Sequence, residues 1–445
     1  MALSGLDIYK LLPKTNCRDC GFPTCLAFAL ALAKRTVSLE KCIHVTEEAK
    51  KALDASALPP IRLVRIGPEN AKHDAGNETV MFRHEEKFHH PTLIGFIIPD
   101  NLDDNEIKKR LNSINALEFE RIGQLLKPQL IAVKQTKDAG RFVQTVKLIL
   151  QNCPELGIVL MSIDAQALKE ALLILTGKSP VIYAADSQNI SQLAALAKEH
   201  GASLTVKAST LDELSQLTKK ANETGLNDII IDVDTKNNKA RAIFSLTQIR
   251  RQALKKANRS LGYPTITVLN NTDQYDEIIE AGDYIAKYTG IILLNSCQPY
   301  AALALLTLRQ NIYTDPQKPL QIEPKLYQIG NTDEKSPVLI TTNFSLTYYT
   351  VLGEVEASKK PSNIISVDTE GMSVLTAWAA EKFTPDKITE SLKKCGIEEK
   401  VSHRNLIIPG YVAVLSGELE EASGWKIIVG PKEAAGLPAF LKNLS

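Results

Sequence analysis

The sequence has almost no imbalance of charge: 52 Lys and Arg stand against 51 Asp and Glu, a formal net charge of +1. Without an excess of either sign there is no bulk electrostatic case for binding nucleic acid or an anionic membrane surface. No apolar run approaches the ~20 residues of a membrane span. The opening stretch MALSGLDIYKLLPK lacks the basic-then-apolar layout of a secretory leader. Aromatic residues are scarce at 6%, yet 44% hydrophobic and 23% charged residues leave ample material for cores and exclude a wholly disordered chain. Cysteine is sparse and odd in number, seven in 445 residues, which excludes a small disulfide scaffold. The length calls for two or three domains, and a cytoplasmic protein is expected.

Four of the seven cysteines crowd into the first 42 residues. Cys17, Cys20, Cys25 and Cys42 read C-x2-C-x4-C-x16-C. Cys17 and Cys20 share a tight turn, and Gly21-Phe22-Pro23-Thr24 bends the chain so that Cys25 approaches from another direction. Thr24 suits an N-cap for a helix that begins at Cys25 and runs through LAFALALAKR. Its free N–H groups would face the anionic centre. Structural zinc sites usually pair two short knuckles, whereas here three ligands come from one loop and the fourth from beyond a helix. A [4Fe–4S] cluster is the favoured reading and zinc the alternative. His44 reads as a neighbour, because four thiolates already complete a cubane. Cys153, Cys297 and Cys395 read as structural thiols.

The rest of the chain is α/β. Residues 58–91 have little period and many punctuators, and read as a linker between a cluster module at 1–57 and a barrel at 92–315. Within 92–315, eight short apolar runs alternate with amphipathic helical stretches, which is the arithmetic of a (βα)8 TIM barrel. One helical stretch is DNEIKKRLNSINALEFERI. The polar residues at the strand ends, among them Asp100, Asn101, Ser162, Asp164, Asp186, Asp232, Asp234, Asn270, Asn271 and Asn295, read chiefly as caps of the helices that follow. Histidines at 84, 89 and 90 do not form a metal set.

After Pro316 and Pro319 the pattern restarts as a doubly wound α/β domain, 325–445. Its strand-to-helix turns, Thr341-Thr342-Asn343, Asp368-Thr369-Glu370-Gly371-Met372-Ser373 and Gly430-Pro431, are expected on one edge of a parallel sheet. A ligand crevice there is favoured over ordinary capped loops.

The order of cluster, barrel and terminal domain resembles the large (gamma) subunit of the corrinoid iron–sulfur protein of the reductive acetyl-CoA pathway. KTNCRDCGFPTCLAFALALA…KC and DTEGMSVLTAWAAEKF carry the resemblance, which spans essentially the whole chain. It implies a methyl carrier: a cobalamin-type cofactor accepts a methyl group from a methyltetrahydrofolate-dependent methyltransferase. It then passes the group to CO dehydrogenase/acetyl-CoA synthase, while the cluster returns oxidised Co(II) to Co(I). A small (delta) subunit as heterodimer partner and a reductive activator or ferredoxin as electron donor are implied with it. The corrinoid contacts implied are Thr341, Thr342, Leu346, Glu370, Gly371, Met372, Ser373, Gly430, Glu433 and Ala434. The chain departs from the D-x-H-x-x-G pattern of many corrinoid carriers. His403, the one histidine of the terminal domain, sits in VSHRNLI, so no protein imidazole is expected on cobalt. The cluster module is expected to move toward cobalt only for reactivation. Two other functions compete: a cluster-only electron-transfer subunit, and a pterin-dependent barrel methyltransferase gripping substrate with Asp232, Asn270 and Asn295.

Overall fold

The computed structural model describes residues 5–33, 37, 39–46, 49–50, 59–234, 238–270, 273–317 and 319–444. It divides into two compact units, one of Met1–Phe119 with Lys127–Tyr313 and one of Glu120–Leu126 with Thr314–Ser445. The expected boundary between cluster module and linker, at 57 and 58, lies outside the described residues.

In the first unit, helix Gly5–Leu11, which the sequence pattern did not announce, packs on helix Cys25–Ala33. Ile8, Leu12, Phe28 and Ala29 form their shared core with Cys25. Gly5 permits the close approach, because a Cβ there would meet Leu30 Cδ2 at 2.5 Å.

Two short antiparallel strands follow, β1 (Val64–Ile66) and β2 (His73–Ala75), and then the barrel. Its strands are β3 (Leu93–Pro99), β6 (Leu130–Lys134), β7 (Gly157–Met161), β8 (Val181–Ala185), β9 (Ser203–Ala208), β10 (Ile229–Val233), β11 (Ile266–Val268) and β12 (Ile291–Leu294). They pair in parallel in the order β10-β9-β8-β7-β6-β3-β12-β11, and a parallel bridge from Ile231 to Thr265 brings the two ends together. All eight expected runs are therefore strands of one nearly closed sheet. The apolar runs are buried on both faces, as a barrel wrapped by helices requires.

Residues from Pro59 to Pro91 are not a free linker. Val64, Ile66 and Ala75 are fully buried and share a core with Leu93, Leu130 and Val159. They close the end where the strands begin: Ile66 abuts Gly157, and the Gly67 N–H donates to Ser179 O at 3.3 Å. Further along, Glu78 and Arg250 form a buried ion pair at 3.0 Å. The Arg250 guanidinium lies 4.6 Å from both the Phe88 and Tyr288 ring centres. Glu78 also accepts the backbone N–H groups of His89 and His90, so that tract is structural. Runs of three residues are too short to register as strands among Gly67, Pro68 and Gly76.

A second correction concerns DNEIKKRLNSINALEFERI. The helix spans only Asp104–Asn115, with Asp103 and Glu106 making a capping box. A hairpin of β4 (Phe119–Arg121) and β5 (Gln124–Leu126) follows, turning through Ile122 and Gly123, both at positive φ. Residues 120–126 belong to the second unit, where Gly123 lies against the Tyr349 hydroxyl.

The second unit is a five-stranded sheet of β13 (Leu326–Ile329), β14 (Val338–Thr342), β15 (Ser362–Val367), β16 (Asn405–Ile408) and β17 (Lys426–Val429). The order is β13-β15-β14-β16-β17, with β13 the antiparallel edge. Helices Pro385–Lys394 and Ser416–Ser423 cover one face through Ile388, Leu392 and Leu419. Helices Ser345–Ser358 and Leu437–Asn443 cover the other through Tyr348, Val355 and Leu441. From β14 the chain builds first to one side and then to the other, so a crevice is expected beyond the ends of β14 and β16.

Candidate functional site

The cysteine loop is shaped by backbone before side chains. Lys14, Asn16, Arg18 and Gly21 all have positive φ, and the Gly21 N–H closes a turn on Arg18 O at 2.8 Å. Alternation of this kind turns successive N–H groups inward and makes an anion-binding concavity. Helix Cys25–Ala33 starts where the sequence placed it, with Thr24 Oγ1 accepting the Ala27 N–H at 3.1 Å. Its first N–H groups are not all free, because Cys25 N donates to Asn16 Oδ1 at 2.8 Å. Cys42 follows a short turn in which its N–H donates to Leu39 O at 3.0 Å.

All four sulfurs are free thiols; Cys17 is exposed, Cys25 buried, and Cys20 and Cys42 between the two. Cys20, Cys25 and Cys42 lie in one apolar cluster with Phe22, Phe28 and Leu39. Burial first, and then the neighbouring sulfurs of Cys20, Cys17 and Cys25, push the Cys42 thiol above its ordinary value. Three soft donors in an apolar setting, with the exposed Cys17 on the adjoining loop, suit a thiolate-ligated metal centre. His44 Nε2 sits 2.7 Å from Asp19 Oδ2, and Cys17, Asp19 and His44 place ligand atoms within 4.8 Å of one another. The imidazole is thus engaged by a carboxylate beside the sulfurs.

In the second unit a cavity of about 410 Å³ opens beyond the ends of β14, β16 and β17. Thr341, Leu346, Ser373, Gly430 and Ala434 line it, together with Phe344, Thr347, Leu375, Pro409, Tyr411 and Leu437, which the sequence reading missed. Residues 346, 347, 350 and 351 share one face of a helix, a periodicity that was legible had the crevice been located first. The other five expected contacts lie outside this lining. Thr342 is buried, and Met372 packs on the core of Ile365 and Phe383. Glu370 pairs with Lys382 at 2.6 Å, and Gly371 N–H donates to Asn343 Oδ1 at 3.0 Å. Glu433 accepts from the Tyr411 hydroxyl. The buried hydroxyls of Thr341, Thr342 and Ser345 have no hydrogen-bond partner. Thr341 alone of the three lines the cavity, and an orphaned hydroxyl in an apolar wall fits a large organic cofactor that brings its own polar groups. A second cavity of about 620 Å³ is charged, lined by Lys325, Lys387, Glu390, Lys394 and Lys400.

His403 precedes β16, at the opposite strand end from the apolar cavity. Its Nε2 lies 3.1 Å from Ser336 O, and its Nδ1 accepts the Asn405 N–H at 3.2 Å.

The barrel's strand-end residues are mostly structural. Asp100 accepts from Thr136 and Lys137, and Asp164 caps the helix Ala165–Ile174. Ser162 accepts the Asp164 N–H, and Asp186 accepts the Gln188 N–H. Asn295 spends its side-chain amide on Leu269 O and Glu277. Asp232, Asp234 and Asn270 do line a polar cavity, but it measures only about 70 Å³. There the Tyr183 hydroxyl donates to Asp232 at 2.6 Å, and burial raises the Asp232 carboxyl to about 6. Such a volume is far below the ~300 Å³ of usual ligand pockets. Asn271 lies outside the described residues. Cys153 is an inert thiol, pushed up to about 11 by burial. No helix among the described residues is long and apolar enough to cross a membrane.

Two family models match the chain. The Fe–S cluster model covers residues 12–44, and that of the CO dehydrogenase/acetyl-CoA synthase delta subunit covers 63–441. The chain is 44% identical over 442 residues to the corrinoid/iron–sulfur protein large subunit of Moorella thermoacetica, covering 99% of both. It is 32% identical to the acetyl-CoA decarbonylase/synthase complex subunit gamma of Methanothermobacter thermautotrophicus, covering 100% of both. The gamma subunit of Methanopyrus kandleri is 33% identical, with 99% of this chain and 98% of that one covered. The delta model begins only after the cysteine loop, whereas the large and gamma subunits match from end to end. The chain therefore belongs to the family of corrinoid/iron–sulfur protein large subunits and acetyl-CoA decarbonylase/synthase gamma subunits.

Proposed function

We propose that this chain is a methyl carrier of the acetyl-CoA pathway, holding a corrinoid at the 410 Å³ cavity and a [4Fe–4S] cluster on Cys17, Cys20, Cys25 and Cys42. The observation that carries the reading is the apolar crevice at the sheet's switch point, with the orphaned Thr341 hydroxyl in its wall, on a chain that also bears four N-terminal cysteines close in sequence. The corrinoid supplies the methyl-carrying chemistry and the cluster the single electrons for its reactivation. Methyltetrahydrofolate, through a methyltransferase, is the methyl source, and acetyl-CoA synthase the acceptor. A reductive activator or ferredoxin supplies the electrons.

This chain's own groups bind and shield. Leu346, Leu375 and Tyr411 exclude water from the crevice, and all three remain substantially exposed, Leu346 by 63%. A cavity of this size accepts one part of a corrinoid, and the remainder lies over that apolar rim, where a small (delta) subunit covers it. The Thr341 hydroxyl, in the cavity wall, meets a polar group of the cofactor. Gly430, with no side chain, lets the cofactor approach the backbone, and Ser373 and Ala434 keep the wall small. Glu370, Gly371, Met372 and Glu433 act from behind the lining, shaping the turns.

Purified anaerobically with its corrinoid, the protein is expected to show corrinoid bands and an iron–sulfur shoulder in one visible spectrum. An iron–sulfur spectrum alone would favour the cluster-only electron-transfer subunit. His403→Ala is expected to leave the Co(II) EPR spectrum unchanged. Nitrogen superhyperfine splitting from a protein imidazole, lost in that variant, would overturn the absence of an axial ligand from this chain.

The chain is docked on the barrel from Pro59, whose carbonyl accepts from the Arg259 side chain at 2.7 Å. The cluster module moves toward cobalt only for reactivation. Removing residues 1–57 is expected to preserve corrinoid binding while abolishing enzymatic re-reduction of Co(II). Re-reduction at the full-length rate would show that the cluster is not the electron wire.

A further inference from the structure

Of the four sulfurs, Cys17 is the most exposed and lies on a loop with little packing of its own. What holds that loop is the residue before it. The Asn16 N–H donates to Cys25 Sγ at 3.4 Å, and Asn16 Oδ1 accepts the Cys25 N–H at 2.8 Å. The two residues are nine apart in sequence, and the two hydrogen bonds run in opposite directions. Only an oxygen can accept from the Cys25 N–H, so the orientation of the amide is determined. Asn16 also has φ 50, a conformation that asparagine adopts more readily than most residues.

We propose that Asn16 is a positioning residue for the cluster: a reciprocal clamp that sets the Cys17 loop against Cys25 and tunes the Cys25 sulfur through an N–H···S bond. The inference rests on the cluster reading above. Because Asn16 is peptide-bonded to Cys17, clamping it to Cys25 brings two ligands from separate stretches of chain into one geometry. Its carbonyl oxygen satisfies a helix N-terminal N–H that would otherwise compete for the anionic centre. Its own N–H is directed at sulfur. Hydrogen bonds to ligand sulfurs stabilise the more negative oxidation level, and partners of this kind orient metal ligands.

Three substitutions separate the side chain from the backbone. Asn16→Gly keeps the positive φ and the N–H but loses the acceptor. Asn16→Ala loses the acceptor and strains the turn. Asn16→Asp keeps an acceptor oxygen. The readouts are iron retained during challenge with a chelator, the EPR g-values of the reduced cluster, and its midpoint potential. In Asn16→Gly and Asn16→Ala, iron is expected to be lost about threefold to tenfold faster than in the parent, the worth of one net hydrogen bond. Their g-values are expected to shift. Asn16→Asp is expected to restore retention, with a midpoint potential displaced to more negative values by the added charge.

A merely structural cap would lower thermal stability in Asn16→Gly without moving the g-values or the potential, and that result would overturn the proposal. So would parent-like iron retention in Asn16→Gly alongside rapid loss in Asn16→Ala, which would assign the effect to backbone conformation alone. A parent protein that takes up no iron would instead overturn the cluster reading on which the proposal stands.

Discussion

Replacing Cys42 or Cys20 with alanine is expected to take iron from about four atoms per chain to near none and to abolish the low-temperature EPR signal of the reduced protein. Each residue contributes one of four sulfurs, and no neighbouring side chain offers a soft replacement. The nearby carboxylate and imidazole, Asp19 and His44, already engage each other at 2.7 Å. The barrel and terminal domain should still fold, because the core of Ile8, Cys25 and Phe28 is separate from that of Val64 and Leu93 and from that of Val338 and Trp425. Alanine also suits the half-buried apolar setting of both sulfurs, so the barrel's unfolding should change by less than about 1 kcal/mol. Unchanged iron in either variant would remove the four-cysteine assignment. One zinc per chain in the parent, with no iron, would replace the cluster by a structural zinc site.

Thr347→Trp is expected to weaken corrinoid binding at least about tenfold, a loss of ~1.4 kcal/mol or more. Thr347 is half-buried on the helix Ser345–Ser358 and lines the 410 Å³ cavity, so an indole there takes volume the cofactor needs. The helix tolerates the change, because this position faces the cavity rather than the core of Tyr348 and Val355. Lys387→Trp provides the control. It stands in the larger, charged cavity between β13, β15 and the helix Pro385–Lys394 and should leave corrinoid binding unaltered. Titration of cobalt-containing cofactor by visible absorption distinguishes the two. The reverse outcome, loss in Lys387→Trp and none in Thr347→Trp, would move the corrinoid to the charged groove and undo the present assignment.

The signals that proved legible were local ones. Each barrel strand is a short run of apolar residues punctuated at both ends, and it stays buried on both faces, so its composition alone announces it. Asp164, one of the residues expected as a cap, behaved likewise: its side chain accepts the N–H groups of Gln166 and Ala167. The cysteine loop was readable for the same reason, since four cysteines within 26 residues leave a spacing. Strands of three residues leave no period, which is why β1 and β2 read as a linker in the sequence. The continuation of a helix through Phe119 was an error of the opposite sort. Amphipathic spacing persists past Asn115, while Ile122 and Gly123 at positive φ turn the chain into a hairpin.

By itself, the sequence announced the α/β class of the fold, the eight strands of the barrel and the spacing of the four N-terminal cysteines. Each of these is written in residues adjacent along the chain, where propensity, periodicity and spacing act directly. Tertiary structure alone decided that residues from Pro59 seal the end of the barrel, because that depends on Ile66 meeting Gly157, far along the chain. It also decided which of ten expected contacts line the crevice, since strand alternation turns Thr341 toward it while Thr342 does not line it. The link from Asn16 to Cys25 belongs with these. It joins residues on either side of a turn whose left-handed steps no local preference for Lys14 or Arg18 would have favoured. A contact between distant residues carries no signature in either neighbourhood, and only the folded chain brings its two halves together.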